Sequence, residues 1–394
     1  MGRGAFVAGV GMVPFATPKN ADPFDVMAEG AIKAALADAG IDYEKVQQVY
    51  AGYVYGDSTS GQLAAYRVGM TGVPVINVNN NCSTGSTALW LARQAVDSGA
   101  AECVLAFGFE QMRPGALGAI WTDRPNPLDR LNDIVGAERG DYASAPPAPR
   151  WFAIAADAYM EKYGATPEMF AAVSVKARKH AANNPYAVFR DPVTVADVLS
   201  SPRICGMLTK LQCAPPTCGA AAAVICGEDF ARKHGLSTGV RIRAQAMTSD
   251  TPDAMERDRQ GWAWTGIVGD AARQVYEQAG VGPEDIPVVE LHDCFTPNEV
   301  LTYEVLGLTP EGTAEKFIAD GDNTYGGKVV TNPSGGLLSK GHPLGATGLA
   351  QCAELTWQLR GQAGPRQVDG VKLALQHNVG GGSSVVITLY EKVG

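Results

Sequence analysis

Ala28, Ala31, Ile32, Ala35, Leu36 and Ala39 recur at three- and four-residue spacing and stop at Gly40, which predicts an amphipathic helix over residues 28–40 closed by a glycine. Ala272, Val275, Tyr276 and Ala279 repeat the pattern over 271–280 and stop at Gly280. Six residues past each glycine stands an apolar position, Val46 or Ile286, and three further on another, Val49 or Val289. Each pair is separated by 240 residues. A third helical face, Ala88, Leu91, Ala92, Ala95 and Val96, follows the polar run Asn79-Asn80-Asn81-Cys82-Ser83-Thr84-Gly85-Ser86-Thr87. Cys82-Ser-Thr-Gly85-Ser-Thr87 aligns with His342-Pro-Leu-Gly345-Ala-Thr347 at an offset of 260. Two matched blocks in one order predict duplicated βαβ units. Cys82 and His342 then occupy equivalent helix N-termini and can face one another.

The pattern breaks between the halves. From about 116 to 207 the chain reads as loop-rich, with Pro125, Pro127, Pro146, Pro147, Pro149, Pro185, Pro192 and Pro202. Ten Lys/Arg balance ten Asp/Glu there, so the two halves carry all of the net charge of −9. A neutral insert bearing Arg124, Arg130, Arg139, Arg150, Lys176, Arg178 and Lys179 is the least repulsive surface for an anionic ligand. A solvated lid explains the same charges.

At 394 residues and 46% hydrophobic, the chain can bury a large α/β core, and 46 glycines with 24 prolines suit many tight strand–helix turns. The acidic balance excludes a nucleic-acid partner that needs a basic face. No apolar run has the length of a membrane span, and the N-terminus has neither signal-peptide nor myristoylation pattern, so the expected location is cytoplasmic. Eight cysteines in so long a chain do not form a disulfide scaffold. Cys103 and Cys352 read as small core hydrophobes, while Cys205, Cys213, Cys218 and Cys226 form no Cys-x-x-Cys pair and no zinc spacing. Gly9-Val-Gly11-Met-Val-Pro14 lacks the third glycine of a dinucleotide fingerprint and reads as a strand-to-loop turn; no Walker-type loop is present.

Three loops hold the candidate chemistry. Cys82 stands at a helix start, where unpaired N–H groups and the positive dipole end favour a thiolate. Glu290-Leu-His292-Asp293-Cys294-Phe-Thr-Pro-Asn-Glu299 follows the apolar run Ile286-Pro-Val-Val289. Gly341-His342-Pro-Leu-Gly345-Ala-Thr-Gly348 runs into a further amphipathic stretch. Strand-end and helix-start loops are where rigid α/β scaffolds expose reactive groups.

Taken together, Asn-Asn-Asn-Cys82-Ser-Thr-Gly-Ser, His292-Asp-Cys294-Phe and Gly341-His342-Pro-Leu-Gly-Ala-Thr-Gly resemble the thiolase superfamily across nearly the whole chain, most in the form of the sterol carrier protein X thiolase domain. The resemblance implies an α/β thiolase fold, two duplicated βαβαβαββ halves in a layered α-β-α-β-α body. By it, residues 1–115 plus 208–240 form the first half, 116–207 an inserted loop domain for CoA and substrate, and 241–394 the second half. It implies an acyltransferase that cleaves a 3-oxoacyl-CoA with CoA, giving acetyl- or propionyl-CoA and a shortened acyl-CoA, or the reverse. Cys82 would attack the 3-keto carbon, His342 would take the thiol proton, and Cys294 would serve the acetyl-CoA enolate and later the incoming CoA. His292 and His342 would hold the thioester oxyanion, and the N–H groups of Cys82 and Gly380 the acyl oxygen. Coenzyme A is then a substrate, with no resident cofactor or metal. Expected partners are acyl-CoA and CoA, without nucleic acid or membrane insertion, and the expected assembly is a homodimer or homotetramer.

Two departures matter. Ordinary thiolases place their second cysteine where this chain has Asn378, and Cys294 fills that need in the sterol-carrier form. Cys218 stands where the family more often has an acidic residue. His377 reads as a hydrogen-bonded strand-end histidine, and His180 and His234, in charged helical text, as solvated. Two other readings stay open. One is a thiolase-fold retro-aldolase of steroid side-chain breakdown, whose relatives generally lack the nucleophilic cysteine and rely on a partner protein. The other is a non-catalytic acyl-CoA-binding protein, which could discard the thiols. Decarboxylative condensing enzymes share the fold without Cys294.

Overall fold

A computed structural model of the chain describes residues 4–113, 121–136, 142, 145–259 and 262–393. The first half runs β1 (Ala5–Met12), α1 (Phe24–Ala39), β2 (Gln48–Gly52), α2 (Ser60–Tyr66), β3 (Val75–Val78), α3 (Thr84–Ser98) and β4 (Cys103–Glu110). After it come α4 (Asp129–Gly136), α5 (Pro147–Tyr163), α6 (Pro167–Ala181), α7 (Val195–Ser200) and the hairpin β5 (Arg203–Cys205) and β6 (Leu208–Thr209). The chain returns to the first half with β7 (Gly219–Gly227) and α8 (Glu228–His234). The second half is β8 (Val240–Thr248), α9 (Pro252–Arg259), α10 (Thr265–Ala279), β9 (Val288–Glu290), α11 (Thr296–Val305), α12 (Ala314–Ala319), β10 (Val330–Thr331), α13 (Gly336–Ser339), α14 (Leu344–Arg360), β11 (Leu373–Gly380) and β12 (Ser384–Lys392).

The duplication is visible in the strand order, β10-β9-β11-β12-β8-β1-β7-β4-β2-β3. Reading outward from the β1–β8 junction, each half places its first, fifth, fourth, second and third strand in the same sequence. β2 lies parallel to β3 and β4, and β9 parallel to β10 and β11, while β7 and β12 return antiparallel. The junction is narrow: Phe6 opposes Arg241. α1 and α10 end on Gly40 at φ 70° and Gly280 at φ 64°, the left-handed cap that glycine takes without strain.

Side-chain alternation along the strands divides the core into layers. On β4, Cys103, Leu105, Phe107 and Phe109 pack toward α1, while Val104 and Ala106 pack toward α3 and α14. On the other half, Val385, Ile387 and Leu389 of β12 face α10, and Tyr390 faces the central helices. The resulting order is helix, sheet, central helix pair, sheet, helix. α14 is buried on nearly every side from Leu344 to Thr356, so the amphipathic pattern expected after Gly348 gives way to a helix enclosed between two sheets.

Three other expectations change. Gly9 and Gly11 lie inside β1 rather than in a turn; a Cβ at either would stand 2.4 Å from α1 backbone, so the glycines allow helix and strand to touch. The Pro-rich stretch after 116 is largely helical among the described residues, because Pro147 and Pro167 stand in the first turns of α5 and α6, where the missing N–H costs nothing. Arg139 lies outside the described residues. His180 is buried, not solvated: one ring nitrogen meets the Asn332 carbonyl at 3.0 Å and the other Thr324 Oγ1 at 2.7 Å. Beside it, Lys176 of the same helix is buried against Glu299, Tyr303 and Thr331. Together they clamp α6 to the second half. His234 is partly buried against the Phe230 ring.

Candidate active site

The polar run after β3 folds by satisfying itself. Asn80 donates its N–H to Thr84 Oγ1 and its side-chain amide to Thr87 Oγ1, and its carbonyl accepts from Ser83. Asn81 takes φ 52°, a left-handed conformation asparagine tolerates, and lifts Cys82 to the start of α3. The Asn81 amide donates to the Gly381 carbonyl at 3.1 Å and accepts from Cys82 Sγ at 3.6 Å.

His292 and Cys294 lie on the loop from β9 to α11. Asn298 donates to the His292 carbonyl, Ala214 donates to the Cys294 carbonyl at 2.8 Å, and Asp293 accepts from the N–H groups of Leu337 and Leu338. Burial and then Glu299 push the Asp293 carboxyl up. His342 precedes α14, with its N–H on Thr217 Oγ1 at 2.6 Å. The helix comes this close because of glycines: a Cβ on Gly345 would stand 2.3 Å from the Phe109 carbonyl oxygen, and one on Gly348 2.1 Å from Ser86 Oγ.

These loops converge. Cys82 Sγ and one ring nitrogen each of His292 and His342 lie within 4.8 Å of one another. The two imidazoles meet edge to face, with centroids 5.1 Å apart at 85°. Burial, and then the neighbouring Cys82, push the Cys294 thiol well up. Among the described residues, Cys82, His292 and His342 are the trio that could hold a metal ion, and a thiol with two neutral imidazoles suits zinc. The same three groups make a nucleophile with two adjacent proton carriers.

Each histidine is held by its other nitrogen. His342 Nδ1 meets Thr347 Oγ1 at 2.7 Å, and that hydroxyl spends its own proton on the Pro343 carbonyl at 2.9 Å. The His342 proton therefore sits on Nδ1, leaving Nε2 a bare acceptor, buried and without a hydrogen-bond partner among the described residues. His292 Nδ1 meets the Asn378 side-chain nitrogen at 2.8 Å. Burial, and then Lys340, pull His342 down to about 3; burial, His342 and His377 pull His292 well below the ordinary imidazole range. Both rings are neutral at physiological pH.

The thiolate expectation for Cys82 is overturned. Burial pushes its thiol up to about 12, and the nearby Glu110 carboxyl adds to the rise. The N–H of Gly381 and the Cys82 N–H lower it by less. A helix start with no cation among the described residues acting on it does not offset the loss of water. The N–H that faces the sulfur belongs to Gly381. Gly380, one residue earlier, backs onto the Cys82 loop, where a Cβ would stand 2.2 Å from the Asn80 carbonyl oxygen.

Several functional neighbours gave no sequence motif. Glu110, 1% exposed at the end of β4, accepts from Val54 N, Tyr55 N and Gly345 N, so it ties the α14 start to β4. Burial pushes its carboxyl up to about 7 against those three donors. Only its position at a strand end signalled it. Cys218 accepts the Met112 N–H at 3.1 Å and points its thiol at the Met112 carbonyl, which gives that residue a structural role in closing the chain after β4. His377 is fully buried, with Nδ1 accepting the His292 N–H at 3.4 Å. From the insert, Phe152 stacks on Phe295 at 4.8 Å, and Trp151 lies beside Gly381, where an added Cβ would stand 3.6 Å from its ring. None of the eight cysteines is in a disulfide bond, and Cys103 and Cys352 lie in the core. No described helix is long and apolar enough to cross a membrane.

Comparison with known proteins agrees with this geometry. Residues 6–205 match the family model "Thiolase, N-terminal domain", and residues 251–391 match "Thiolase C-terminal domain-like". Sterol carrier protein 2 of Homo sapiens is 53% identical over 398 residues, covering 99% of this chain and 72% of that protein. Among solved structures, the Ltp2-ChsH2(DUF35) aldolase superposes with a TM-score of 0.79 at 27% identity over 99% of this chain and 98% of its own. Human mitochondrial 3-ketoacyl-CoA thiolase, solved with CoA, gives 0.73 at 21% identity over 100% and 98%, a likeness of fold.

Proposed function

This chain belongs to the thiolase family and is an acyltransferase by that membership, and we propose that it cleaves branched-chain or sterol-derived 3-oxoacyl-CoA with CoA through an acyl-Cys82 intermediate. The observation that carries the reading is the convergence of the Cys82 thiol with two neutral histidines, beside a second thiol on Cys294.

The resting thiol is protonated, so its proton leaves as the bond forms. Cys82 Sγ attacks the 3-keto carbon while His342 Nε2, the bare nitrogen, accepts the proton. The bond between the second and third carbons then breaks, leaving the shortened acyl group as a thioester on Cys82 and an enolate on the departing acyl-CoA. The Cys294 thiol protonates the enolate carbon, and acetyl- or propionyl-CoA leaves. The Cys294 thiolate takes the proton of incoming CoA, whose sulfur attacks the thioester; as the C–S bond to Cys82 breaks, His342 returns its proton to the leaving sulfur and Cys82 is restored as a thiol. His292, His342 and the N–H groups of Cys82 and Gly381 hold the oxygens that become negative, where one donor is worth roughly 10²–10³ in rate.

Trp151, Phe152, Trp264 and Phe295 pack on one another in a buried aromatic cluster that begins next to Cys294, and its apolar surroundings are the support for a bulky apolar acyl group rather than a short linear one. We also propose a homo-oligomer. β3 is a sheet edge, and Leu63, Tyr66 and Met70 beside it are 53%, 49% and 79% exposed. The proposed compartment is the cytoplasm.

The retro-aldolase reading is favoured by the likeness to the Ltp2-ChsH2(DUF35) aldolase. Cys82 and Cys294 at the centre of the site weigh against it, since aldol cleavage needs neither an acyl-enzyme nor CoA. A product assay separates the two. With 3-oxoacyl-CoA substrates of linear, 2-methyl-branched and sterol side-chain type, CoA-dependent release of a shortened acyl-CoA supports the thiolase. Cleavage of a 3-hydroxyacyl-CoA without free CoA overturns it. Sedimentation of the free protein tests the oligomer.

A further inference from the structure

Asn378 stands where its amide can dictate which nitrogen of His292 carries the proton, and the groups behind it leave the amide one orientation. The Tyr390 hydroxyl donates to Gln376 Oε1. Gln376 Nε2 donates to the Gly348 carbonyl at 2.7 Å and to Ser86 Oγ at 2.8 Å. A carbonyl accepts only, so the Gln376 amide cannot be reversed. Ser86 Oγ, having accepted from Gln376, donates its proton to Asn378 Oδ1 at 2.7 Å. That fixes the Asn378 amide with its nitrogen toward His292 Nδ1, at 2.8 Å. Tyr390, Gln376, Ser86 and Asn378 are fully buried and His292 is 2% exposed, so bulk solvent does not compete for these bonds. Every bond in the chain runs the same way.

We propose that Asn378, oriented by Ser86 and Gln376, is a positioning residue that holds His292 as its Nε2–H tautomer, a hydrogen-bond donor toward Cys82. His292 Nδ1 must accept from Asn378, so the ring proton lies on Nε2, the nitrogen left for the site. His342 carries the opposite tautomer, with Nδ1–H on Thr347 and Nε2 bare. The two facing imidazoles thus divide the work, His342 accepting the thiol proton and His292 donating to the thioester oxygen. This also accounts for asparagine at 378: a cysteine there could not present a strong donor to Nδ1. The close approach of α14 is part of the device, since a Cβ on Gly348 would stand 2.1 Å from Ser86 Oγ and 2.9 Å from Asn378 Oδ1.

The inference rests on the thiolase reading for its chemical purpose, but the tautomer is measurable without turnover. NMR of isotope-labelled histidine ring nitrogens, assigned with His292→Asn, is expected to show His292 protonated at Nε2 and bare at Nδ1. Asn378→Asp turns the donor into an acceptor of similar shape and is expected to reverse that tautomer. Thiolysis kcat is then expected to fall by at least about 10²-fold, with KM for acyl-CoA within about twofold. Ser86→Ala, which keeps Asn378 but frees its amide to turn, is expected to mix the two tautomers and lower kcat, and it decides the matter if Asn378→Asp does not fold. Wild-type His292 protonated at Nδ1, or ring signals unchanged in the variants, overturns the proposal. An enzyme without thiolysis but with the expected ring signals would sink the thiolase reading and leave the tautomer assignment standing.

Discussion

Cys82 and His342 occupy equivalent positions in the two halves, each two residues before a central helix, α3 beginning at Thr84 and α14 at Leu344. The duplication therefore sets the partners of the reaction as well as the fold. Each half brings one reactive group to a helix start, and the crossing of α3 over α14 sets the distance between them. Gly85 and Gly345 make the crossing possible, since a Cβ on Gly85 would stand 2.7 Å from the Gly345 carbonyl oxygen. Gly348→Ala tests this packing. The new methyl would meet the Ser86 backbone nitrogen at 2.3 Å, which cannot turn away as a side chain could. The expected loss is about 1–3 kcal/mol or more, seen as a lower unfolding midpoint. An unchanged midpoint would mean the helices can separate without cost.

Cys82 rests as a thiol. Its alkylation by iodoacetamide in the free enzyme is expected to be slow at pH 7 and to keep rising beyond pH 9 without a plateau, because burial pushes the thiol up to about 12. A rate that levels off near neutrality would show a preformed thiolate–imidazolium pair.

The pH–rate profile follows from His342. Its pKa is lowered, so the ring stays neutral and able to accept a proton down to about 3, and lowering the pH from 7 to 5 does not protonate it. Thiolysis kcat/KM is expected to show no acid limb near the ordinary imidazole value of about 6.5. A limb there that Glu110→Gln leaves in place would contradict the neutral-base assignment.

Cys294 acts on the enolate and not on the first attack. Cys294→Ala is expected to retain acylation of Cys82 by an activated acyl donor while steady-state thiolysis falls by about 10²–10⁴. Loss of both steps would place Cys294 in the positioning of Cys82 instead.

Much of this was legible in the sequence. The spacing of α1 and α10, their glycine caps and the two offsets identified the duplication, because helix periodicity and cap chemistry are local properties. The pairing of Cys82 with His342 followed from the same alignment. What escaped depends on contacts between distant segments. His180 looked solvated among charged neighbours, yet its partners Thr324 and Asn332 lie about 150 residues away. Prolines suggested loops after 116, where two of them begin helices. The helix start at Cys82 suggested a thiolate, but burial by three loops outweighs a terminal dipole worth about 1 kcal/mol. Asn378 read as a missing cysteine, and its function emerges only beside Ser86 and His292.

The central claim is an acyl group carried on Cys82, and intact-protein mass tests it most directly. After incubation with a 2-methyl-branched 3-oxoacyl-CoA in the absence of free CoA, the expected result is an adduct equal to the shortened acyl group. It should be absent in Cys82→Ala and released on adding CoA. No adduct on a protein that still binds the ester, across short, branched and sterol-derived substrates, would contradict thiolysis and favour an aldolase or a binding protein.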